Sequence, residues 1–315
     1  MPPVHSNNHS SSLLSKPSFH LPIPSSLPNP PLQLRFRSSH SSPLRNLRCA
    51  RSPAMAETSV IEPQKVFVSN KRGERLAGLL HDTGSEEVVV LCHGFRSNKG
   101  QKTLVNLSVA LNNEGISAFR FDFAGNGESD GSFQYGNYME EVEDLSAVVN
   151  HLTGLSRVVS AILGHSKGGN DVLLYASKYH DIPTVINVSG RNKLDRGIEE
   201  RLGQKFLERI KQDGYIDVKN KAGEVLYRVT EESLMERLNT NMHEACLSID
   251  KDCKVLTVHG SADEVIPVED AYEFSKIIPN HKLVIIEGAD HGYNSHQAEL
   301  VTVVLNFIKA CPSKI

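Results

Sequence analysis

The chain has 315 residues, a formal net charge of −3 and no tryptophan, a length that suits one large domain or two small ones. The charge is unevenly spread: residues 1–55 hold six cations and no acid, which leaves −9 on the remainder. A body that acidic is a poor nucleic-acid or anionic-membrane binder, and no run of about eighteen apolar residues offers a membrane span.

Residues 1–55 also hold ten of the fifteen prolines and thirteen serines, and the first acid is Glu57. Such a segment buries too little apolar surface to offset its ordering entropy, so disorder is expected. Basic, serine-rich and acid-free composition at an N-terminus reads as an organelle transit peptide. Prolines through "HLPIPSSLPNPPL" rule out a secretory h-region and disfavour a mitochondrial amphipathic helix, which leaves the plastid. "LRCA" at Leu47–Ala50 places processing near Cys49, and Met55 offers a second start that would yield a cytosolic form.

From residue 56 onward the pattern is that of one large domain. "KVFVSN" and "RLAGLLH" read as opening antiparallel strands, and "EEVVVLCHG" as a strand buried on both faces. "KTLVNLSVALNNEG" has helical spacing and stops at Gly115. "ISAFRFDF" is the next strand, "YMEEVEDLSAVVNHL" the next helix, then the strand "RVVSAILGH" and the helical "GNDVLLYASKY". "TVINVSG", "KVLTVHG" and "KLVIIEG" complete the strands, and "AELVTVVLNFIKA" is a closing amphipathic helix. Strands separated by helix-length segments predict right-handed βαβ units and a mostly parallel sheet. The stretch from about 191 to 250 is too long for one crossover. Its "RGIEERLGQKFLERIKQ" and "EESLMERLNTNMHEACL" look helical and its "YIDVKNKAGEVLYRV" looks like a hairpin, so an inserted lid is expected there.

Gly164, Ser166 and Gly168 in "AILGHSKGGND" satisfy G-x-S-x-G between an apolar strand and a helix. A turn that tight exposes the Ser166 hydroxyl and aims the amides of the following helix at a reacting carbonyl. The hydroxyl is a weak nucleophile at neutral pH and needs a base held by an acid. On a sheet of this type the partners follow in the order Ser, Asp or Glu, His, each in a loop after a strand. "VLTVHGSADEVIP" supplies Asp263 and "LVIIEGADHGY" supplies His291, with Glu264 as an alternative acid. His165 and His259 read as structural. Two amides should stabilise the oxyanion: Lys167 N–H, next to the nucleophile, and Phe95 N–H, after "VVVLCHG". "FDFAGNGESDG" has the spacing GxGxxxG rather than a dinucleotide fingerprint and reads as a rim loop with Asp122 and Ser129 buried. Cys49, Cys92, Cys246, Cys253 and Cys311 lack CxxC spacing, so neither a disulfide framework, a zinc site nor any cofactor is expected.

On "LCHGFRSNK", "RFDFAGNGES", "GHSKGG", "HGSADEVIPVEDA" and "ADHGY", residues 65–310 resemble the α/β-hydrolase superfamily, in particular its compact plant serine hydrolases. They are also similar to bacterial cinnamoyl and feruloyl esterases, whose lid combines helices with a hairpin. The resemblance implies an α/β-hydrolase fold with an eight-stranded, mostly parallel sheet, a Ser166–His291–Asp263 triad and hydrolysis of a carboxylic ester. Lys167 departs from the glutamine or methionine frequent in relatives, and its side chain is expected to add charge at the pocket mouth. The charged lid disfavours a triacylglycerol lipase and suits a small or medium acyl group, with Phe206, Tyr215 and Tyr227 as candidate contacts. The expected partner is a small-molecule ester and the expected state a monomer or weak oligomer. Thioester hydrolysis, acyl transfer to an alcohol and a hydrolase-fold ligand receptor stay open on the same residues.

Overall fold

The computed structural model describes residues 62–311, which belong to one compact unit. The transit-peptide reading of 1–55, its cleavage near Cys49 and the Met55 start lie outside the described residues.

Ten strands form in chain order. β1 (Gln64–Ser69), β2 (Arg75–His81), β3 (Glu87–Cys92), β4 (Ser117–Phe121), β5 (Val158–His165), β6 (Thr184–Val188), β9 (Lys254–Gly260) and β10 (His281–Ile286) build one sheet, and β7 (Tyr215–Lys219) and β8 (Val225–Thr230) pair as a separate hairpin. The sheet order is β1-β2-β4-β3-β5-β6-β9-β10. Only β2 runs against its neighbours, pairing antiparallel with β1 and β4, while the other pairings are parallel. The expected eight-stranded, mostly parallel sheet is therefore present.

Both faces of the central strands are covered, which explains their unbroken apolar runs. In β3, Val88, Val90 and Cys92 pack on one face with α2 (Tyr138–Gly154) and α3 (Lys167–Tyr179). Val89 and Leu91 pack on the other face with α1 (Lys102–Asn113) and α9 (Gln297–Lys309). This alternation is the period of two imposed by the pleat. A further helix, α8 (Glu269–Ile277), closes the βαβ step between β9 and β10 and buries Phe274 against the first face.

The insertion between β6 and β9 contains α4 (Glu199–Leu202), α5 (Phe206–Asp213), the β7–β8 hairpin, α6 (Glu231–Asn239) and α7 (Met242–Leu247). Each expected long helix is broken in two. The first breaks at Gly203 (φ 84) and Lys205 (φ 56). The second breaks where Thr240 turns extended and Asn241 caps α7, its side chain accepting from the His243 and Glu244 amides. The lid has its own small core, in which Ile198, Leu202, Ile210, Ile216, Val229 and Leu234 gather around Tyr135. Gly136 lets α6 approach closely, because a Cβ there would strike the Ser233 carbonyl.

Candidate active site

Ser166 sits between β5 and α3 with φ 58 and ψ −120, a conformation that costs a non-glycine residue roughly 1–3 kcal/mol. Its neighbours have no room for side chains. A Cβ on Gly164 would strike the Gly168 carbonyl, and one on Gly168 would strike the backbone of Cys92 and His93 at the end of β3. The G-x-S-x-G spacing is thus a steric consequence of packing the start of α3 between two strand ends. The turn leaves Ser166 partly exposed while the residues around it are buried.

Three loops beyond the carboxyl ends of β5, β9 and β10 bring their side chains together, as expected at that edge of a parallel sheet. His291 Nε2 lies 3.0 Å from Ser166 Oγ, and His291 Nδ1 lies 2.8 Å from Asp263 Oδ2. A carboxylate can only accept, so Nδ1 carries the proton and Nε2 is left to accept from the Ser166 hydroxyl. Asp263 is held by more than His291: its Oδ1 accepts from the Val265 amide at 2.9 Å and the Ile266 amide at 2.8 Å. Burial opposes ionisation of this carboxyl, but hydrogen bonds from His259 and His291 and the His291 charge outweigh it and hold Asp263 below the usual carboxylate range. The alternative acid, Glu264, accepts instead from the His291 backbone amide at 3.2 Å.

The two remaining histidines support the loops. His165 Nε2 donates to the His291 carbonyl at 2.8 Å, and its Nδ1 accepts from Gln101 at 2.7 Å. Burial, then the neighbouring His291, pushes the His165 imidazole down to about 4, so it stays neutral. His259 Nε2 donates to the Ile266 carbonyl at 2.9 Å, fixing the loop that presents Asp263.

Phe95 and Lys167 lie on either side of Ser166, and all three line one tight cleft of about 50 Å³. Neither the Phe95 nor the Lys167 amide donates to a protein acceptor among the described residues. A pair of unspent N–H groups beside a hydroxyl suits the negative charge that develops on the oxygen of a tetrahedral intermediate. Gly94 makes the approach possible, since a Cβ there would lie 3.0 Å from Ser166 Cβ.

The Lys167 side chain does not reach the pocket mouth as expected. It is buried beneath the ring of Tyr138, 4.8 Å from its centroid, with Nζ 2.8 Å from Glu141 Oε1. Burial opposes its charge, but Glu141 and Asp171 more than compensate and keep it protonated. Burial, then the neighbouring Glu141, pushes the Asp171 carboxyl well above the usual carboxylate range. Of the aromatic candidates, Tyr227 packs edge-on against Phe95 at 5.6 Å, Phe206 joins the lid core, and Tyr215 lies exposed under the Arg228 guanidinium at 3.7 Å. In the rim loop, buried Asp122 accepts from the Lys99 and Glu128 amides, and Ser129, half-buried, donates to the Asp122 carbonyl at 2.6 Å.

Sequence reasoning missed Arg191, Arg196, Arg201 and Arg237, which line the cleft beside Ser166. They come from the loop after β6 and from lid helices, and no local spacing marks them. Among the described residues no group of three or more His, Cys, Asp or Glu side chains is placed to hold a metal ion, and no helix is long and apolar enough to cross a membrane.

Residues 83–231 match the family model described as serine aminopeptidase, S33. Est1E of Butyrivibrio proteoclasticus, solved with ferulic acid bound, superposes with a TM-score of 0.69 at 26% identity over 78% of this chain and 98% of its own. The Pyrococcus furiosus esterase Pf2001 gives a TM-score of 0.62 at 20% identity, covering 80% of this chain and 92% of that one. A Synechocystis sp. protein provisionally described as a non-heme chloroperoxidase is 24% identical over 267 residues, 72% of this chain and 93% of the relative. With its sheet order, its strand-to-helix serine turn and these likenesses, the chain has the α/β-hydrolase fold.

Proposed function

We propose that the protein is a serine hydrolase that cleaves a carboxylic ester of a small or medium acyl group through an acyl-enzyme. The observation that carries this reading is the relay Ser166–His291–Asp263, with contacts of 3.0 Å and 2.8 Å, on a serine held in a strained turn. His291 Nε2 takes the hydroxyl proton as Ser166 Oγ attacks the ester carbonyl. The Phe95 and Lys167 amides receive the oxyanion, and each such donor is worth roughly 2.7–4 kcal/mol in the transition state. His291 then gives its proton to the departing alcohol, and a water repeats the sequence on the acyl-serine. Asp263 keeps the imidazole in the accepting tautomer and stabilises its charged form. The cleft at Ser166 is narrow, about 50 Å³, and shares Arg191, Arg196, Arg201 and Val265 with a cavity of about 740 Å³; the charged, apolar-poor lid around them suits a short acyl arm better than a fatty one.

Hydrolysis of 4-nitrophenyl esters from acetate to dodecanoate tests the reading. Short esters should turn over fastest, and Ser166→Ala should remove the activity. Binding of an ester without turnover, in a protein that fluorophosphonates do not label, would contradict it. The N-terminal 55 residues are proposed to address this enzyme to the plastid stroma. A fluorescent protein fused to them should enter plastids, and a cytosolic signal from that fusion would contradict the address.

A further inference from the structure

The cleft beside Ser166 carries an excess of positive charge. Arg191, Arg196, Arg201 and Arg237 all line it, on a body whose charge from residue 56 onward is −9. The carboxylates of Asp195, Glu199, Glu200 and Glu264 line a second cavity that shares Arg191, Arg196 and Arg201, but none of them lies within 4 Å of a guanidinium of the cleft. Arg237 is buried, and its guanidinium reaches only neutral acceptors: the Leu194 carbonyl at 2.9 Å, the Tyr138 hydroxyl at 3.3 Å and the Arg196 carbonyl at 3.4 Å. Half-buried Arg191 donates to the Val265 carbonyl at 2.6 Å. Arg201 lies over the Phe95 ring, 4.6 Å from its centroid. Among the described residues only Arg196 has a carboxylate within 4 Å, Asp270 at 3.8 Å. The fifth cation of the cleft, Lys167, is already neutralised by Glu141.

Holding four guanidinium groups in a partly dry cleft with one buried carboxylate, Asp270, acting on Arg191 and Arg196 leaves an excess of positive charge, which is unfavourable. The arrangement makes physical sense when a guest brings the missing negative charge, and the planar guanidinium fork matches a carboxylate with two parallel N–H bonds. The side on which that charge enters follows from the chemistry. The departing alcohol has to meet His291 Nε2, 3.0 Å from Ser166 Oγ, whereas the arginines are carried by the β6 loop and the lid helices and not by the loop that carries His291. The cleft therefore faces the acyl arm.

Resting on the ester-hydrolase reading above, we infer that the substrate's acyl arm ends in a carboxylate, the ester being the half-ester of a short dicarboxylic acid. Water enters, and the alcohol and the free dicarboxylate leave. Phe95 serves twice, its amide toward the oxyanion and its ring as the platform that positions Arg201.

The test compares three ethyl esters with acyl chains of matched length in a pH-stat: ethyl hydrogen glutarate, ethyl pentanoate and ethyl 4-(trimethylammonio)butanoate. The expected order of kcat/KM is anionic, neutral, cationic, with the anionic ester ahead of the neutral one by about tenfold or more, as one charge-assisted contact provides. Added salt should narrow the gap, and Arg201→Gln, at the exposed rim, should shrink the anionic-to-neutral ratio toward one. A wild-type protein that cleaves the neutral ester as fast as the anionic one, or faster, overturns this inference and leaves the hydrolase reading standing. Failure on all three esters together with no fluorophosphonate label on Ser166 overturns both.

Discussion

The turn that carries Ser166 and the lid that covers it are built on opposite principles. In the turn, three backbones approach so closely that Gly164 and Gly168 have no alternative, and each residue is dictated by neighbours within a few positions in the chain or on the adjacent strand. In the lid, short helices and one hairpin lean on a small core of their own, assembled from several separate segments of the chain. The turn is therefore intolerant of change but readable, whereas the lid tolerates change and is hard to read. On the function proposed above, chemistry sits on the first and selection of the substrate on the second.

The largest effect that sharpens this contrast is at the acid. Asp263→Asn keeps the shape but replaces an acceptor by an amide that can face Nδ1 with its donors, which spoils the tautomer of His291. A fall in kcat of roughly 10⁴-fold is expected in steady-state hydrolysis, with little change in melting temperature. Next comes the steric claim. Gly168→Ala should cost about 2–4 kcal/mol in urea unfolding and disable the site, because the Cβ meets the carbonyls of Cys92 and His93.

Acid should act through two histidines, buried His165 beside the site and half-buried His281 at the amino end of β10. His165 and His281 are both pushed down to about 4 by burial, below their ordinary value of 6.5. Folding thus weakens their proton binding, so their contribution is whole above about pH 6.5 and is lost as pH falls toward 4. The melting temperature should drop across that window, and His281→Gln should flatten the drop by about one proton's share. The smallest effect belongs to the lid. Gly223→Ala, at φ 85 in the hairpin turn with open space around it, should cost about 1 kcal/mol and leave kcat unchanged.

Much of the sheet was legible because its signals are local. Buried parallel strands read as apolar runs, Gly115 ends α1, and the opening antiparallel pair stands apart in pattern. The three residues of the relay were legible for a similar reason, each lying in a short loop directly after a strand. Three features were not. The helix α8 shares its stretch with the Asp263 loop, and its buried Ala271 and Phe274 are too few to mark a face. The Lys167 side chain turns inward because Glu141, on α2, waits there as its counter-ion, a partner that sequence spacing does not reveal. The four arginines around the cleft arrive from the β6 loop and from lid helices, so only the folded lid gathers them.

We propose that Ser166 accepts the acyl group with His291 as its base. This step is tested most directly by rapid quenching during turnover of an activated ester, followed by mass analysis of the peptide containing Ser166. An adduct of the acyl mass on Ser166, formed before the steady state and absent from His291→Ala, is the predicted result. An acyl group found on another residue, or full turnover by Ser166→Ala, would contradict it.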